Sequence, residues 1–205
     1  MSFQLLTQVS VSLIISYTKT NNLRKGKPIM KKILVVVDMQ NDFVDGALGS
    51  KEAVAIVPNV AEKITDSDAD EIFVTLDTHF ENYPETLEGK KLPVAHCIDG
   101  TRGHELNAEI KKALLGKNYK EVKKTTFGSF DISKRLKESY PDEEFEFEFA
   151  GLCTDVCVVS NVIIMRAAFP DAKITVDSNC CAGITPETHK AALDTMKSCQ
   201  IDVIG

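Results

Sequence analysis

From position 30 onward the apolar residues fall into short clusters whose spacing switches between two periods. Residues 32–37 form a continuous β-branched run, and 71–76 repeat that character; both predict strands. A short strand is expected at 119–123, and 144–149 alternate with a period of two. Residues 172–176 and 202–204 supply the last strands. Between them, spacing of about 3.6 residues predicts helices over 105–115, 132–139 and 156–169, while Pro58 and Pro186 are read as openings of two more. A long polar loop is expected from 77 to about 103. Strands alternating with helices in this way imply a mostly parallel, six-stranded α/β sheet covered on both faces.

Composition narrows this picture. A 205-residue chain with 43% hydrophobic content can bury one good-sized core, and residues 30–205 are read as that single domain. Residues 1–29 differ: their apolar stretches, such as 13–17, are short and broken by Ser and Thr, and Met30 offers a second start directly before the first strand. They are read as a non-core N-terminal extension, either an upstream start or an appended leader, with a genuine amphipathic leader as the alternative. The net charge of -6 and the pI near 5.3 argue against a nucleic-acid or anionic-membrane surface, because phosphates need a basic footprint. A small-molecule substrate is expected instead. Of six cysteines, five fall in the second half, two of them adjacent, with no CxxC pair. That pattern favours reduced thiols in the cytoplasm over a disulfide framework or a tetrathiolate zinc site.

In a parallel α/β sheet the site lies beyond the carboxyl ends of the strands. The first strand ends in Asp38, the second in Asp77 with His79, the third in Lys124, and the fourth leads through Gly151 to Cys157 at a helix start. Each has a bland reading: Asp38 as a turn cap, Lys124 as a surface charge, Cys157 as a small core residue. Together they make chemical sense, because a thiol needs a base and a nearby ammonium favours its thiolate, as does a helix start. Asp77 and His79 alternate on an extended segment and can share one side. His96 and a loop carboxylate such as Glu85 would complete a mixed N and O metal-ligand set, although spacing does not choose among Glu81, Glu85 and Glu88.

The stretches DMQNDF at 38–43, KTTFGSF at 124–130 and GLCTDVCVVS at 151–160 resemble the three motif blocks of the isochorismatase-like cysteine hydrolases, especially the nicotinamidases. The resemblance runs from about Lys32 to the C-terminus. It implies a Rossmann-like three-layer α/β/α fold with strand order 3-2-1-4-5-6, placing Asp38 beside Cys157. It also implies hydrolysis of nicotinamide to nicotinate and ammonia through a thioester on Cys157, with Asp38 as base and Lys124 supporting the charged pair. Backbone N–H groups of Cys153 and Cys157 would bind the oxyanion, after a cis peptide preceding Cys153. A divalent metal on Asp77, His79, His96 and Glu85 would hold the substrate ring nitrogen, with zinc ahead of ferrous iron or manganese. Phe43 and Phe127 are expected in the pocket wall, and a homo-oligomer is expected. Cys153 is otherwise a packing residue or a resolving thiol, Cys180 and Cys181 belong to a tight turn before a helix, and His104 and His189 are surface or capping residues. The rival readings are a hydrolase of the same fold acting on another small amide or carbamoyl compound, and a non-catalytic binding protein on this scaffold. Isochorismate ether hydrolysis fits less well, since those relatives generally lack the cysteine.

Overall fold

The computed structural model describes residues 29–205. The reading of residues 1–29 as an extension therefore lies, but for Ile29, outside the described residues. Strands β1 (Met30–Val37), β2 (Glu71–Asp77), β3 (Tyr119–Lys124), β4 (Glu144–Leu152), β5 (Lys173–Ala182) and β6 (Asp202–Ile204) form one sheet in the order β3-β2-β1-β4-β5-β6, every pair parallel. The expected topology is met.

The continuous apolar run of β1 is explained by what covers it. Leu34 and Val36 face one core with Ile56, Val57, Val60 and Ile64 of α2 (Lys51–Asp66) and Ile110 of α4 (Ala108–Ala113). Ile33, Val35 and Val37 face the opposite core. There they meet α5 (Asp131–Ser139), α6 (Val159–Ala168) and α7 (Pro186–Ser198). A strand buried on both faces has no polar side to show, so alternation vanishes. Short helices α1 (Asn41–Val44) and α3 (Leu87–Lys91) decorate the carboxyl edge of the sheet.

Several boundaries moved, each for a physical reason. Pro58 does not open a helix but lies inside α2, which starts where the Ser50 hydroxyl accepts the Ala53 N–H at 3.0 Å. Pro58 and Val54, whose carbonyl loses its helical partner, both face solvent, where a free carbonyl costs little, while the apolar stripe on the other side holds the helix together. Cys180 and Cys181 lie not in a turn but in the last residues of β5, which runs past a register shift to Ala182. The 77–103 loop contains a 3-10 turn, Tyr83–Glu85, and then α3. The helix expected from 156 begins as a π turn, Thr154–Val158, before α6.

β4 lies directly beside β1, pairing Val37 with Gly151. Gly151 has φ of 123°, and a Cβ there would lie 2.1 Å from the Val37 carbonyl oxygen. Glycine is required at this crossing, and the crossing is what brings the chain after β1 next to the chain after β4.

Candidate active site

Asp38 follows β1 directly and is fully buried, with φ of 47° turning the chain away from the sheet. Thr75 of β2 donates its hydroxyl to Asp38 Oδ1 at 2.7 Å, and Asp38 N–H donates back to Thr75 at 3.2 Å. Lys124 closes β3, and its Nζ reaches three groups at once: Asp38 Oδ2 at 2.7 Å, Asp77 Oδ1 at 3.0 Å and Cys157 Sγ at 3.5 Å. The expected trio is thus assembled from the ends of β1 and β3 and the turn after β4.

Electrostatics set the resting state of this trio. Burial pushes Asp38 up, against the pull of the Lys124 charge. Cys157 is raised well above the ordinary thiol value, by burial first and then by the negative charge of Asp38. Burial works against the Lys124 ammonium, but Asp38, Cys157 and Asp77 outweigh it and hold Lys124 protonated. The helix start alone therefore does not make Cys157 a thiolate, as the sequence had suggested. Desolvation dominates, and the thiol needs a base in contact with it.

Asp77 joins this trio to a second cluster. Its Oδ2 lies 2.9 Å from His79 Nε2 and 3.5 Å from His96 Nε2. The ligand atoms of Asp77, His79 and His96 all lie within 4.8 Å of one another, all three residues buried. His79 Nε2 is sealed from solvent and makes no hydrogen bond of acceptable geometry. His96 Nδ1 sits 2.8 Å from the Val94 carbonyl, which assigns its proton to Nδ1 and leaves Nε2 as a lone pair facing the cluster. An orphaned buried ring nitrogen, a second nitrogen with its tautomer set, and a carboxylate between them fit a divalent cation.

The fourth position corrects the sequence reading. Glu85 sits exposed on the 3-10 turn. Thr86 then caps α3, its hydroxyl accepting the Gly89 N–H at 2.9 Å, and this turns Glu88 inward. Glu88 Oε1 lies 3.6 Å from both His79 Nε2 and His96 Nε2.

A cavity of about 330 Å³ is lined by Asp77, Glu88, His96, Cys153 and Cys157 together with the apolar Leu48, Leu92, Val156 and Ile184. Phe43 and Phe127 both line it. Phe43 is buried with its ring 5.4 Å from that of His96, and Phe127 is partly exposed. The Leu152–Cys153 peptide is cis. Cys153 lines the cavity beside Cys157, and burial pushes its thiol up to about 12.

Sequence reasoning missed the residues that hold this arrangement. Gln40 is fully buried and clamps the Asp77 backbone, accepting its N–H at 2.7 Å and donating to its carbonyl at 2.9 Å. Asn161 of α6 donates to the Cys157 carbonyl at 2.8 Å and the Phe127 carbonyl at 3.1 Å, and accepts the Ser129 N–H at 3.1 Å. The Tyr83 ring packs against both histidines, centroids 4.7 Å from His79 and 5.2 Å from His96. Gln40 sits inside the DMQNDF block and could have been singled out there; Asn161 and Tyr83 carry no local pattern. His104 is not a surface residue: it is buried, with Nε2 2.9 Å from the Thr78 hydroxyl. His189 is half-buried and meets Thr154.

A six-stranded parallel sheet in the order 3-2-1-4-5-6, covered by helices on both faces, is the fold this chain shares with the isochorismatase-like hydrolases. Residues 32–205 match the isochorismatase domain, and the chain belongs to that family. It is 32% identical over 181 residues to an uncharacterized isochorismatase family protein, PncA, of Bacillus subtilis, covering 80% of this chain and 93% of that one. The crystal structure of nicotinamidase/pyrazinamidase PncA from Bacillus subtilis superimposes with a TM-score of 0.70 at 29% identity, covering 86% of this chain and all of that one. The pyrazinamidase of Pyrococcus horikoshii in complex with zinc gives 0.70 at 25% identity, over 85% and 98% of the two chains. Among the described residues no helix is long and apolar enough to cross a membrane.

Proposed function

We propose that the protein is a cysteine amidohydrolase that cleaves nicotinamide to nicotinate and ammonia, a step of pyridine nucleotide salvage in the cytoplasm. The observation that carries this reading is Lys124 Nζ, which lies within 3.5 Å of the buried Asp38, Asp77 and Cys157, the last two of which line the cavity. Relatives named as nicotinamidases and pyrazinamidases support the substrate class.

In the proposed cycle Asp38 takes the Sγ proton, a transfer suited to a carboxyl whose affinity for protons burial has raised. Lys124 stays protonated and balances the charge, so the thiolate forms beside a cation. Sγ attacks the amide carbonyl, and the N–H groups of Cys153 and Cys157 receive the oxyanion. Asp38 gives its proton to the amide nitrogen, the C–N bond breaks and ammonia leaves a thioester. Water then loses a proton to Asp38 and attacks the thioester carbonyl; the C–S bond breaks, and Cys157 recovers the proton. Asp77, His79, His96 and Glu88 would hold a divalent ion, zinc fitting the mixed N and O donors best. When bound, that ion supplies a Lewis-acid contact for a ring nitrogen. Phe43 and Phe127 would flank a flat ring in the cavity.

Ammonia release from nicotinamide and a panel of small amides tests the reading. Turnover is expected on nicotinamide, to be lost in Cys157→Ala and after chelation, and to return when zinc is restored to the wild-type protein. Turnover of other amides without nicotinamide would reassign the substrate, and undiminished activity in Cys157→Ala would sink the mechanism.

A further inference from the structure

The turn that carries Cys157 is not secured by its own cap. Cys153 stands at its N-cap position and contributes no side-chain hydrogen bond; its carbonyl accepts the Val156 N–H at 3.1 Å and the Val158 N–H at 3.0 Å. The next residue, Thr154, is fully buried, so its hydroxyl must find a partner within the protein. That partner comes from another element: Thr154 Oγ1 lies 2.8 Å from Nδ1 of His189, in the first turn of α7.

Three further features hold His189 at this contact. Thr185 and Thr188 form a reciprocal capping box, with N–H to hydroxyl distances of 3.2 and 3.1 Å, which sets the first turn of α7. Gly183 precedes that cap, and a Cβ there would lie 2.9 Å from the His189 N, Cα and Cβ atoms, so the missing side chain is what lets His189 come this close. Asp155, beside Thr154, accepts the Ile184 N–H on both carboxylate oxygens at 3.1 and 3.2 Å. The nucleophile turn and the start of α7 are thus joined at two points, one at Thr154 and His189 and one beside Gly183 and Ile184, which line the cavity.

We propose that His189 is a positioning residue for the nucleophile, holding the Cys157 turn in register through the Thr154 hydroxyl. The proposal rests on the cysteine-hydrolase reading above, and it divides the two links by role. The His189–Thr154 bond governs how Cys157 is presented to Asp38 and to the carbonyl carbon, a kcat property. The Asp155–Ile184 bond governs the wall that receives the substrate, a KM property.

Asparagine can offer an amide atom near the position of Nδ1, whereas leucine keeps bulk without a polar atom. His189→Leu is therefore expected to lower kcat by about tenfold or more with KM changed by less than about twofold, since small displacements of reacting groups are costly. His189→Asn is expected to recover most of the loss. Thr154→Val should reproduce His189→Leu, and the double variant should be no worse than either single one, as two ends of one bond require. Asp155→Asn should raise KM more than it lowers kcat. The rate of Cys157 alkylation by iodoacetamide, followed on the isolated Cys157 peptide, should fall in His189→Leu and recover in His189→Asn. That arm needs no substrate, so it reports on His189 even if nicotinamide proves not to be turned over. Unchanged kcat and alkylation in folded His189→Leu, equal damage in His189→Asn, or additive losses in the double variant would each overturn the proposal.

Discussion

Lys124 shows how a residue acquires a role that its type does not announce. In sequence it is one of two adjacent lysines; in the fold Lys123 pairs with Asp99 in the open, while Lys124 is buried among Asp38, Asp77 and Cys157. Alternation along β3 separates the two, since neighbouring side chains of a strand point to opposite faces. Local geometry, here a helix cap, also separates the three loop carboxylates near His79 and His96. Glu81, Glu85 and Glu88 were equivalent by spacing, and the cap at Thr86 selected Glu88 by turning it toward His79 and His96. Glu88→Gln is therefore expected to weaken zinc binding by roughly tenfold or more, whereas Glu85→Gln leaves it unchanged. Competition titration against a chromophoric chelator measures both, and a larger loss in Glu85→Gln would reverse the assignment.

Among the elements, the turn between β4 and α6 concentrates the most function in the fewest residues. It begins at Gly151, where β4 crosses close to β1, passes the cis peptide and delivers Cys157 to the cavity. Asn161, one turn into the helical segment beyond Cys157, ties this turn to the loop after β3 through the Phe127 carbonyl and Ser129 N–H. Replacing it by alanine would leave several inward-facing backbone groups unpaired. Asn161→Ala is expected to cost about 2 kcal/mol or more in urea unfolding and to lower turnover sharply. A stability change under about 0.5 kcal/mol, the range of ordinary surface substitutions, would show that water replaces the amide. The helical period predicted α6 well, because a long apolar stripe is a strong signal. The bracing role of Asn161 was invisible to that reasoning, since its partners in the loop after β3 are 32 and 34 residues away in the chain.

For the molecule as a whole, buried thiols set the response to alkali. Burial leads in raising Cys97, Cys157 and Cys181 above the ordinary thiol range. An acid whose native value is raised holds its proton in the folded state after the unfolded chain has released it. Stability is then complete below the unfolded thiol value of about 8.5 and falls as pH rises above it, by up to about 1.4 kcal/mol per pH unit for each such thiol. Urea midpoints should be flat from pH 7 to 8 and decline steadily from pH 9 to 10, and a flat profile to pH 10 would show these thiols ionising in the native protein. Much of the architecture was legible without coordinates. Apolar runs, period-two alternation and helical spacing specified the alternating elements, because burial on two faces leaves its mark on every residue of a strand. The three motif blocks marked Asp38, Lys124 and Cys157, because chemistry restricts which side chains can serve. What only the tertiary structure decided was relation across the chain: that Asp77 serves both Lys124 and the histidine pair, that Glu88 faces them, and that His189 reaches Thr154. Those contacts join residues that no local period links, and their distances are set by how strands and caps pack against one another.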